Sequence, residues 1–233
     1  MEGTPVEDIP VMLVHGFASS FERNWQETGW ADLLRDGGRS VIGVDLLGHG
    51  RAAKPHDPAA YAGLEQSIAA AMPAAGRADA VGFSMGAQLL LRLAAVSPGR
   101  FRRIVLGGIG DGVFARTDPE PVARAVETGR AAEDAGPSAA ALAHFAATPG
   151  NDPAALAACL RRPQAPLTEA DVAAIEVPVL VVLGERDFAG PADRLVAALP
   201  HAQFLALRGA DHFGTPKDFR FVQAALDFVR SGG

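Results

Sequence analysis

The sequence is poor in cysteine and in long apolar runs. Cys159 is the one cysteine among 233 residues, which excludes a disulfide framework and the cysteine-rich zinc patterns. No run approaches the about 18 apolar residues that a membrane-spanning helix needs. Glu2, Glu7 and Asp8 stand near the N-terminus, where a secretory signal would carry positive charge. We therefore expect a cytoplasmic protein that has no membrane anchor.

Positive charge is also scarce. The chain has 21 Lys and Arg against 27 Asp and Glu, a formal net charge of -6, and an isoelectric point near 5.5. A nucleic-acid surface needs clustered Lys and Arg to neutralise phosphates. The basic pairs Arg102-Arg103 and Arg161-Arg162 are too sparse for that, so we expect no nucleic-acid partner.

Short apolar runs bounded by Gly, Pro and polar residues predict strands at 11–14, 41–44, 80–83, 104–106, 179–183 and 204–207. They lack strict alternation and are rich in β-branched residues, as in a parallel sheet that is buried on both faces. Segments of helical length lie between them, at 30–36, 61–72, 85–96, 192–199 and 219–229. The alternation of strand and helix predicts an α/β fold, with a mostly parallel sheet flanked by helices.

One long segment, 112–176, interrupts that alternation. It contains no convincing strand, and several prolines divide its alanine-rich stretches into short helices. Thr168 and Asp171 have the spacing of a helix N-terminal capping box. We interpret 112–176 as a short helical lid inserted between two strands, over the sheet edge where α/β proteins bind ligands. The core then comprises 1–111 and 177–233.

The strongest chemical signal is Gly82-Phe83-Ser84-Met85-Gly86, between a predicted strand and a predicted helix. A serine in such a strained turn is lifted into the cleft, and the flanking glycines avoid a collision of Cβ atoms with neighbouring backbone. The helix N-terminus at this point also favours a developing anion. Ser84 is therefore the candidate nucleophile.

A serine hydroxyl needs a base, because it is protonated at neutral pH. His212 fits this role, since it follows the last predicted strand through a short turn. His201 precedes that strand and should lie at the opposite sheet edge. The other histidines have simpler interpretations, as turn-fixing, helical or solvated side chains: His15, His49, His56 and His144.

The base in turn needs a carboxylate that orients and stabilises the imidazolium. Asp187 follows the strand at 179–183 and should reach the same sheet edge as Ser84 and His212. Asp111 follows the strand at 104–106 and is the competing candidate. Asp211 should point away from its neighbour His212, and Glu185 is expected to be a solvated loop carboxylate.

Acyl transfer also requires two backbone N–H groups that stabilise a tetrahedral oxyanion. One is expected from Met85, directly after the candidate nucleophile. The other is expected from Phe17, in the loop that follows the first strand through His15-Gly16. These two amides form the predicted oxyanion hole.

Taken together, these motifs resemble the α/β-hydrolase superfamily. The resemblance rests on His15-Gly16-Phe17, Asp45-Leu46-Leu47-Gly48-His49-Gly50, Gly82-Phe83-Ser84-Met85-Gly86, Gly184-Glu185-Arg186-Asp187 and Asp211-His212, and it runs over 9–110 and 177–230. It implies a Ser-His-Asp triad and hydrolysis through an acyl-enzyme. Ser84 differs from the Asp nucleophile of the superfamily's haloalkane dehalogenases and epoxide hydrolases. The first pair of strands usual in the superfamily is poorly represented, since only 6–9 could form a strand before 11–14. The sheet is therefore expected to be shortened at that edge.

No cofactor or metal is predicted. The glycines of 107–112 follow a strand but do not have the Gly-x-Gly-x-x-Gly spacing of a dinucleotide loop. A Gly-Lys-Ser/Thr phosphate loop and a His-Glu-x-x-His metal pair are both absent from the sequence.

The expected function is that of a serine hydrolase, a carboxylic ester hydrolase acting on a small to medium apolar ester or lactone. Phenylalanines fall in loops and lid segments that should face the cleft, and Phe114, Phe145, Phe188 and Phe213 are the predicted substrate contacts beside Phe17 and Phe83. Arg51, Arg116 or Arg186 could approach an anionic substrate. Thioester hydrolysis, carbon–carbon bond hydrolysis and perhydrolysis use the same residues and remain alternatives, as does a non-catalytic ligand-binding protein.

Overall fold

The computed structural model describes residues 9–74, 76–133 and 135–230. Their strands form a single sheet and are β1 (Val11–Val14), β2 (Val41–Val44), β3 (Ala78–Phe83), β4 (Phe101–Gly107), β5 (Val179–Gly184) and β6 (Ala202–Leu207). The strand order is β2-β1-β3-β4-β5-β6, and every neighbouring pair is parallel. The helices are α1 (Trp30–Asp36), α2 (Glu65–Ala71), α3 (Met85–Val96), α4 (Glu120–Thr128), α5 (Pro137–Ala146), α6 (Pro153–Leu160), α7 (Glu169–Ala173), α8 (Asp193–Ala198) and α9 (Phe219–Arg230). The predicted parallel sheet flanked by helices is confirmed.

The sheet is buried on both faces, which explains the continuous apolar runs of its strands. On one face, Met12 and Val14 pack with side chains of α2, α3 and α8. On the other face, Val11 and Leu13 pack with Trp30 of α1 and with the apolar side of α9. The inner strands β1, β3 and β5 are buried at every residue and alternate between two apolar layers, whereas the edge strands β2 and β6 are partly exposed.

Parallel strands bring their carboxyl ends to one edge of the sheet. The loops after β1, β3, β5 and β6 lead to Phe17, Ser84, Asp187 and His212, respectively. Since β1, β3, β4, β5 and β6 are consecutive in the sheet, residues far apart in sequence gather at this edge.

Strand β3 begins at Ala78, two residues before the predicted start at 80. The prediction was late because the beginning of the strand holds a charged residue, Asp79, which is buried in the structure. The Asp79 side chain is inaccessible to solvent, and it forms ion pairs with Arg39 at 2.6 Å and Arg102 at 2.5 Å. Buried charges are retained when they are paired and hydrogen-bonded. The sequence gives no sign of this pairing, since the two arginines lie on other elements.

The predicted helix at 61–72 is two separate elements in the structure. A 3₁₀ turn spans Pro58–Tyr61, and α2 begins only at Glu65. Between them Gly63 has φ +66°, a conformation that ends a right-handed helix. Tyr61 is buried and donates its hydroxyl to the carbonyl of Pro55 at 2.7 Å, which fixes this break.

The segment 112–176 contains α4, α5, α6 and α7, and α7 begins with a complete capping box between Thr168 and Asp171. Within the described ranges, no helix has the length and apolar character needed to cross a bilayer. The expectations that concern Glu2, Glu7, Asp8 and the start of 6–9 lie outside the described residues.

Candidate active site

Ser84 lies in a strained turn between β3 and α3. Its φ of 51° and ψ of -115° are far from the helical values that begin at Met85, and a positive φ is uncommon for a residue with a side chain. The backbone N–H of Ser84 donates to the carbonyl of Gly107 at 2.8 Å, which anchors the turn to β4. Such backbone strain persists only where the surrounding structure holds it in place, often at functional sites.

The two glycines that flank this turn are required by close backbone packing. A Cβ on Gly82 would lie 2.8 Å from the Cα of Ala87, and a Cβ on Gly86 would overlap the carbonyl oxygens of Val14 and His15. Gly82 therefore allows the close approach of α3 to β3, and Gly86 allows the close approach of α3 to β1.

Replacing Gly86 by alanine is expected to destabilise the protein by about 2 kcal/mol or more, because the overlapping atoms belong to backbone and cannot move aside. The gain in helix propensity, about 1 kcal/mol, is smaller. Gly99→Ala is the matched control, since nothing lies within 4 Å of its Cβ position. Urea unfolding of both variants tests this; equal stabilities would contradict the packing argument.

The side chains of Ser84, His212 and Asp187 form one chain of hydrogen bonds. His212 Nε2 lies 3.0 Å from Ser84 Oγ, and His212 Nδ1 lies 2.8 Å from Asp187 Oδ1. The side chains of His212 and Asp187 are 4% and 0% exposed. The ring of Phe188 covers the imidazole, with centroids 4.2 Å apart. This arrangement can pass a proton from the serine hydroxyl to the imidazole and stabilise the resulting cation.

Asp187 is held in position by backbone. Its Oδ1 also accepts the N–H of Ala189 at 2.8 Å, while its Oδ2 is buried and has no hydrogen-bond partner among the described residues. The competing carboxylate, Asp111, points elsewhere: its Oδ1 accepts the N–H of Leu195 at 2.9 Å, in the first turn of α8. The geometry brings Asp187, and not Asp111, to His212.

The loop after β1 is held in an unusual conformation. Gly16 donates its N–H to the buried Asn24 Oδ1 at 3.1 Å. Ala18 has φ 56°, and its carbonyl accepts from Asn151 Nδ2 at 2.9 Å. The Phe17 N–H has no acceptor within the described residues. The Met85 N–H belongs to the first turn of α3, whose donors have no intrahelical partner. Both amides are thus available to a ligand beside Ser84.

Two buried histidines support this loop from behind. His15 accepts the N–H of Leu46 at Nε2 and donates from Nδ1 to the carbonyl of Gly16. His49 Nδ1 donates to the carbonyl of Leu47, and the His49 ring lies against those of His15 and Phe17. Burial lowers the pKa of both: that of His15 falls below its ordinary value, and that of His49 falls from 6.5 to about 3. Both imidazoles are therefore neutral at physiological pH.

Stability is expected to fall as the pH drops below about 6.5, because these histidines stay neutral in the folded chain but bind protons once it unfolds. The window for His49 extends from 6.5 down to about 3. Its contribution reaches about 1.4 kcal/mol per pH unit there. His49→Asn should show a shallower loss of stability than the wild type in urea unfolding between about pH 7 and pH 5. His201→Asn, at an exposed histidine, should keep the wild-type slope; identical slopes for all three proteins would contradict the assignment.

A cavity of about 340 Å³ opens beside Ser84 and His212. Its large apolar lining residues are Phe17, Phe83, Leu142, Phe145 and Phe213, and its polar lining includes Arg23, Asn24, Glu27, Thr28, Thr148 and Lys217. Phe145 stacks on Phe213 with centroids 4.8 Å apart, so α5 forms one wall. The mixture suits an apolar ligand that has a polar end.

Not every predicted contact lies in this cavity. Phe145 and Phe213 line it, whereas Phe188 is placed over the His212 ring and is not part of the lining. Phe114 is elsewhere: its ring lies under the guanidinium of Arg194 at 4.4 Å and packs on the core. Phe114 was expected here because it follows β4, but the 3₁₀ turn Asp111–Phe114 directs it toward α8. Phe114 therefore lies outside the lining of the Ser84 cavity.

The remaining candidates lie outside the cavity lining. His201 directly precedes β6, at the opposite sheet edge, and His144 is exposed. His56 is exposed and pairs with Asp152 at 2.9 Å.

Asp211 accepts the N–H of Gly214, and Glu185 accepts that of Gly209. Arg51 lies within 3.6 Å of Glu22, and Arg186 donates to the carbonyl of Gly209. In the part of the chain that the structure describes, no group of three or more His, Cys, Asp or Glu could hold a metal ion.

Sequence inspection missed several polar residues of the site. Asn24 and Arg23 lie in a π-helical turn, Glu22–Gln26. No periodicity of apolar residues in the sequence predicts this turn. Asn151 comes from the segment between α5 and α6 and reaches the loop after β1. These residues are joined to the site only by long-range contacts, so no local pattern could reveal them.

A parallel sheet, a serine in a strained strand-to-helix turn and a buried imidazole–carboxylate pair at one sheet edge define the class: an α/β hydrolase. The model of the alpha/beta hydrolase family matches residues 11–224, and the chain belongs to that family. No curated protein matches it in sequence.

Solved structures similar to this chain include several hydrolases. An esterase from Rhodococcus sp. ECU1013 is 26% identical, with 97% of this chain and 91% of that chain covered and a TM-score of 0.67. An enol-lactonase from Burkholderia xenovorans LB400 is 21% identical, with 98% and 94% covered and a TM-score of 0.73. The 2-hydroxy-6-oxo-6-phenylhexa-2,4-dienoate hydrolase from Rhodococcus sp. strain RHA1 is 19% identical, with 98% and 92% covered and a TM-score of 0.67. At 21% and 19% identity, the likeness of the last two structures to this chain shows a common fold alone.

Proposed function

We propose that this protein is a serine hydrolase that cleaves a small to medium carboxylic ester or lactone through an acyl-enzyme. The observation that carries the proposal is the hydrogen-bond chain from Ser84 Oγ through His212 to the buried Asp187, beside a largely apolar cavity. A serine, a base and an orienting carboxylate in this geometry are the requirements of nucleophilic acyl transfer.

In the first half-reaction, His212 Nε2 takes the hydroxyl proton as Ser84 Oγ attacks the carbonyl carbon of the substrate. The carbonyl oxygen becomes an oxyanion, which the N–H groups of Phe17 and Met85 stabilise by a few kcal/mol. His212 then gives its proton to the leaving alcohol as the ester C–O bond breaks, and the acyl group stays on Ser84. Asp187 accepts the Nδ1–H and stabilises the imidazolium throughout.

In the second half-reaction, water replaces the alcohol. His212 takes a proton from this water as its oxygen attacks the acyl carbon, and the same two amides stabilise the second oxyanion. Collapse breaks the bond to Ser84 Oγ, which recovers its proton from His212, and the acid leaves. A lactone follows the same course, but its alcohol stays tethered to the acyl group.

The cavity favours substrates of modest size. Its volume of about 340 Å³ is near the lower end of the range for small-molecule sites, and its phenylalanine lining suits an acyl or alcohol group without charge. The esterase from Rhodococcus, at 26% identity, supports the choice of an ester among possible acyl substrates. Since Leu142, Phe145 and Thr148 line the cavity, we propose that the segment 112–176 acts as its lid.

The decisive experiment is a substrate panel: p-nitrophenyl esters from acetate to decanoate, five- and six-membered lactones, acyl thioesters and a vinylogous β-diketone. We expect the highest kcat/KM for a short to medium ester or a lactone. Preference for the thioester or the diketone would replace the substrate assignment but keep Ser84 as nucleophile. Perhydrolysis would appear as peracid formation from a short acid and hydrogen peroxide.

Labelling by a fluorophosphonate separates an enzyme from a binding protein that merely keeps the fold. An activated Ser84 should react within minutes, and the Ser84→Ala variant should not. Absence of labelling in the wild type would favour a non-catalytic protein.

A further inference from the structure

A second cavity, of about 390 Å³, lies on the other side of α5 from the Ser84 site. It is bounded by α3, by the segment that leads into α4, and by the segment between α6 and α7. Three arginines from these different elements line it: Arg92, Arg116 and Arg162. Leu142 lines both cavities and separates them.

The arginines of this cavity have no carboxylate partner. Within the described residues, no ion pair joins Arg92, Arg116 or Arg162 to an acidic side chain. Asp118 is the one acidic residue of the described lining, and it is exposed and accepts the N–H of Glu120. The cavity is therefore positively charged.

Backbone carbonyls hold two of the guanidinium groups in place. Arg92 Nη2 donates to the carbonyl of Ala165 at 2.6 Å, and Arg162 Nη1 donates to that of Cys159 at 2.8 Å. Each guanidinium keeps further N–H donors in a fixed fork. Arg92 Nε is buried and has no acceptor among the described residues.

The like charges of these groups act on each other. Burial is the main cause that lowers the pKa of Arg92; the charges of Glu65 and Asp171 oppose this shift, and the charge of Arg162 adds to it. The guanidinium groups of Arg92 and Arg162 are two fixed cations that repel each other in a partly buried cavity, and this arrangement favours the binding of an anion. An anion would supply the opposite charge and an acceptor for the buried Arg92 Nε.

The rest of the lining limits what kind of anion fits. Val122, Leu142 and Leu160 add an apolar surface to the lining that contains the arginines. A planar carboxylate matches the guanidinium fork in a bidentate manner, and a short apolar body would cover the leucines. Inorganic phosphate would match the charge but leave that apolar surface uncovered.

We propose that this cavity is a second binding site, separate from the one at Ser84, for a small carboxylate with a short apolar body. The site does not depend on the proposed hydrolysis, although the acids which that reaction would release belong to the same chemical class. Because Leu142 faces both cavities, an occupant would contact the wall of the Ser84 site through α5.

Calorimetric titration of the wild type with hexanoate tests the proposal, with hexanol and inorganic phosphate as probes of the two halves of the ligand. We expect saturable binding of hexanoate at millimolar concentration, and at least tenfold weaker binding of hexanol and of phosphate. The Arg92→Gln and Arg162→Gln variants should each bind hexanoate at least tenfold more weakly, and Arg116→Gln, at an exposed position, should weaken it less. Arg208→Gln removes an exposed charge outside the cavity lining and should change nothing.

The two cavities are told apart by blocking each in turn. Fluorophosphonate-labelled protein, in which the Ser84 site is blocked, should bind hexanoate as the wild type does. Loss of binding in the labelled protein would place the acid at Ser84 and overturn the proposal. Wild-type affinity in both Arg92→Gln and Arg162→Gln, shown by thermal unfolding to be folded, would overturn it as well, as would phosphate binding as tightly as hexanoate.

Discussion

Replacement of Ser84 by alanine is expected to lower kcat by roughly four orders of magnitude or more, with the fold intact. The hydroxyl is the atom that would form the acyl-enzyme, and nothing else at this position can replace it. The substitution removes one oxygen from a partly exposed side chain, and the turn is anchored by backbone, through the bond from Ser84 N–H to the Gly107 carbonyl. Steady-state kinetics on the best ester of the panel measure the loss.

Ser97→Ala is the matched control for this variant. Ser97 follows the other end of α3 and lines neither cavity, so both activity and stability should stay near those of the wild type. Ser84→Ala with more than a tenth of wild-type kcat would reject the nucleophile assignment. Low activity together with a lower unfolding temperature would instead indicate damage to the turn.

Much of the architecture was predictable because the sheet is parallel and buried. The runs at 11–14 and 41–44 coincide with β1 and β2, and the segments at 30–36 and 85–96 coincide with α1 and α3. Burial on both faces makes the inner strands β1 and β5 continuous apolar runs, and parallel strands end at one edge. That Ser84, Asp187 and His212 share this edge follows from those two facts, whereas their order along it depends on the strand order.

What the sequence left undetermined depends on contacts between distant residues. The break at Gly63 within the predicted helix at 61–72 is fixed by packing of Tyr61. The sequence placed Phe114, Phe145, Phe188 and Phe213 alike in loop or lid segments, yet of these four only Phe145 and Phe213 line the cavity. The arginine-lined cavity draws Arg92, Arg116 and Arg162 from separate elements, so no single stretch of sequence marks it.

Asp187→Asn is expected to lower kcat by about four orders of magnitude, and Asp111→Asn by less than about threefold. These two carboxylates follow neighbouring strands, β5 and β4, and both were candidates for the acid of the site. Asparagine at 187 keeps the volume of the side chain but has no charge to stabilise the imidazolium, and its amide favours the wrong tautomer of His212. Both variants are assayed with the same ester at saturating concentration.

The structure gives Asp111 a different task, so its variant should show a different deficit. Asp111 Oδ1 accepts the N–H of Leu195, a donor in the first turn of α8 that has no intrahelical partner. Asparagine at 111 keeps the accepting Oδ1, so Asp111→Asn should stay near wild-type stability. Asp111→Ala removes the acceptor and should cost about 1 kcal/mol of stability, which urea unfolding measures. If Asp111→Asn abolished turnover while Asp187→Asn retained it, the acid role would pass to Asp111. A stability loss with near-normal turnover in Asp111→Ala, and a kinetic loss in Asp187→Asn, would separate helix capping from orientation of the base.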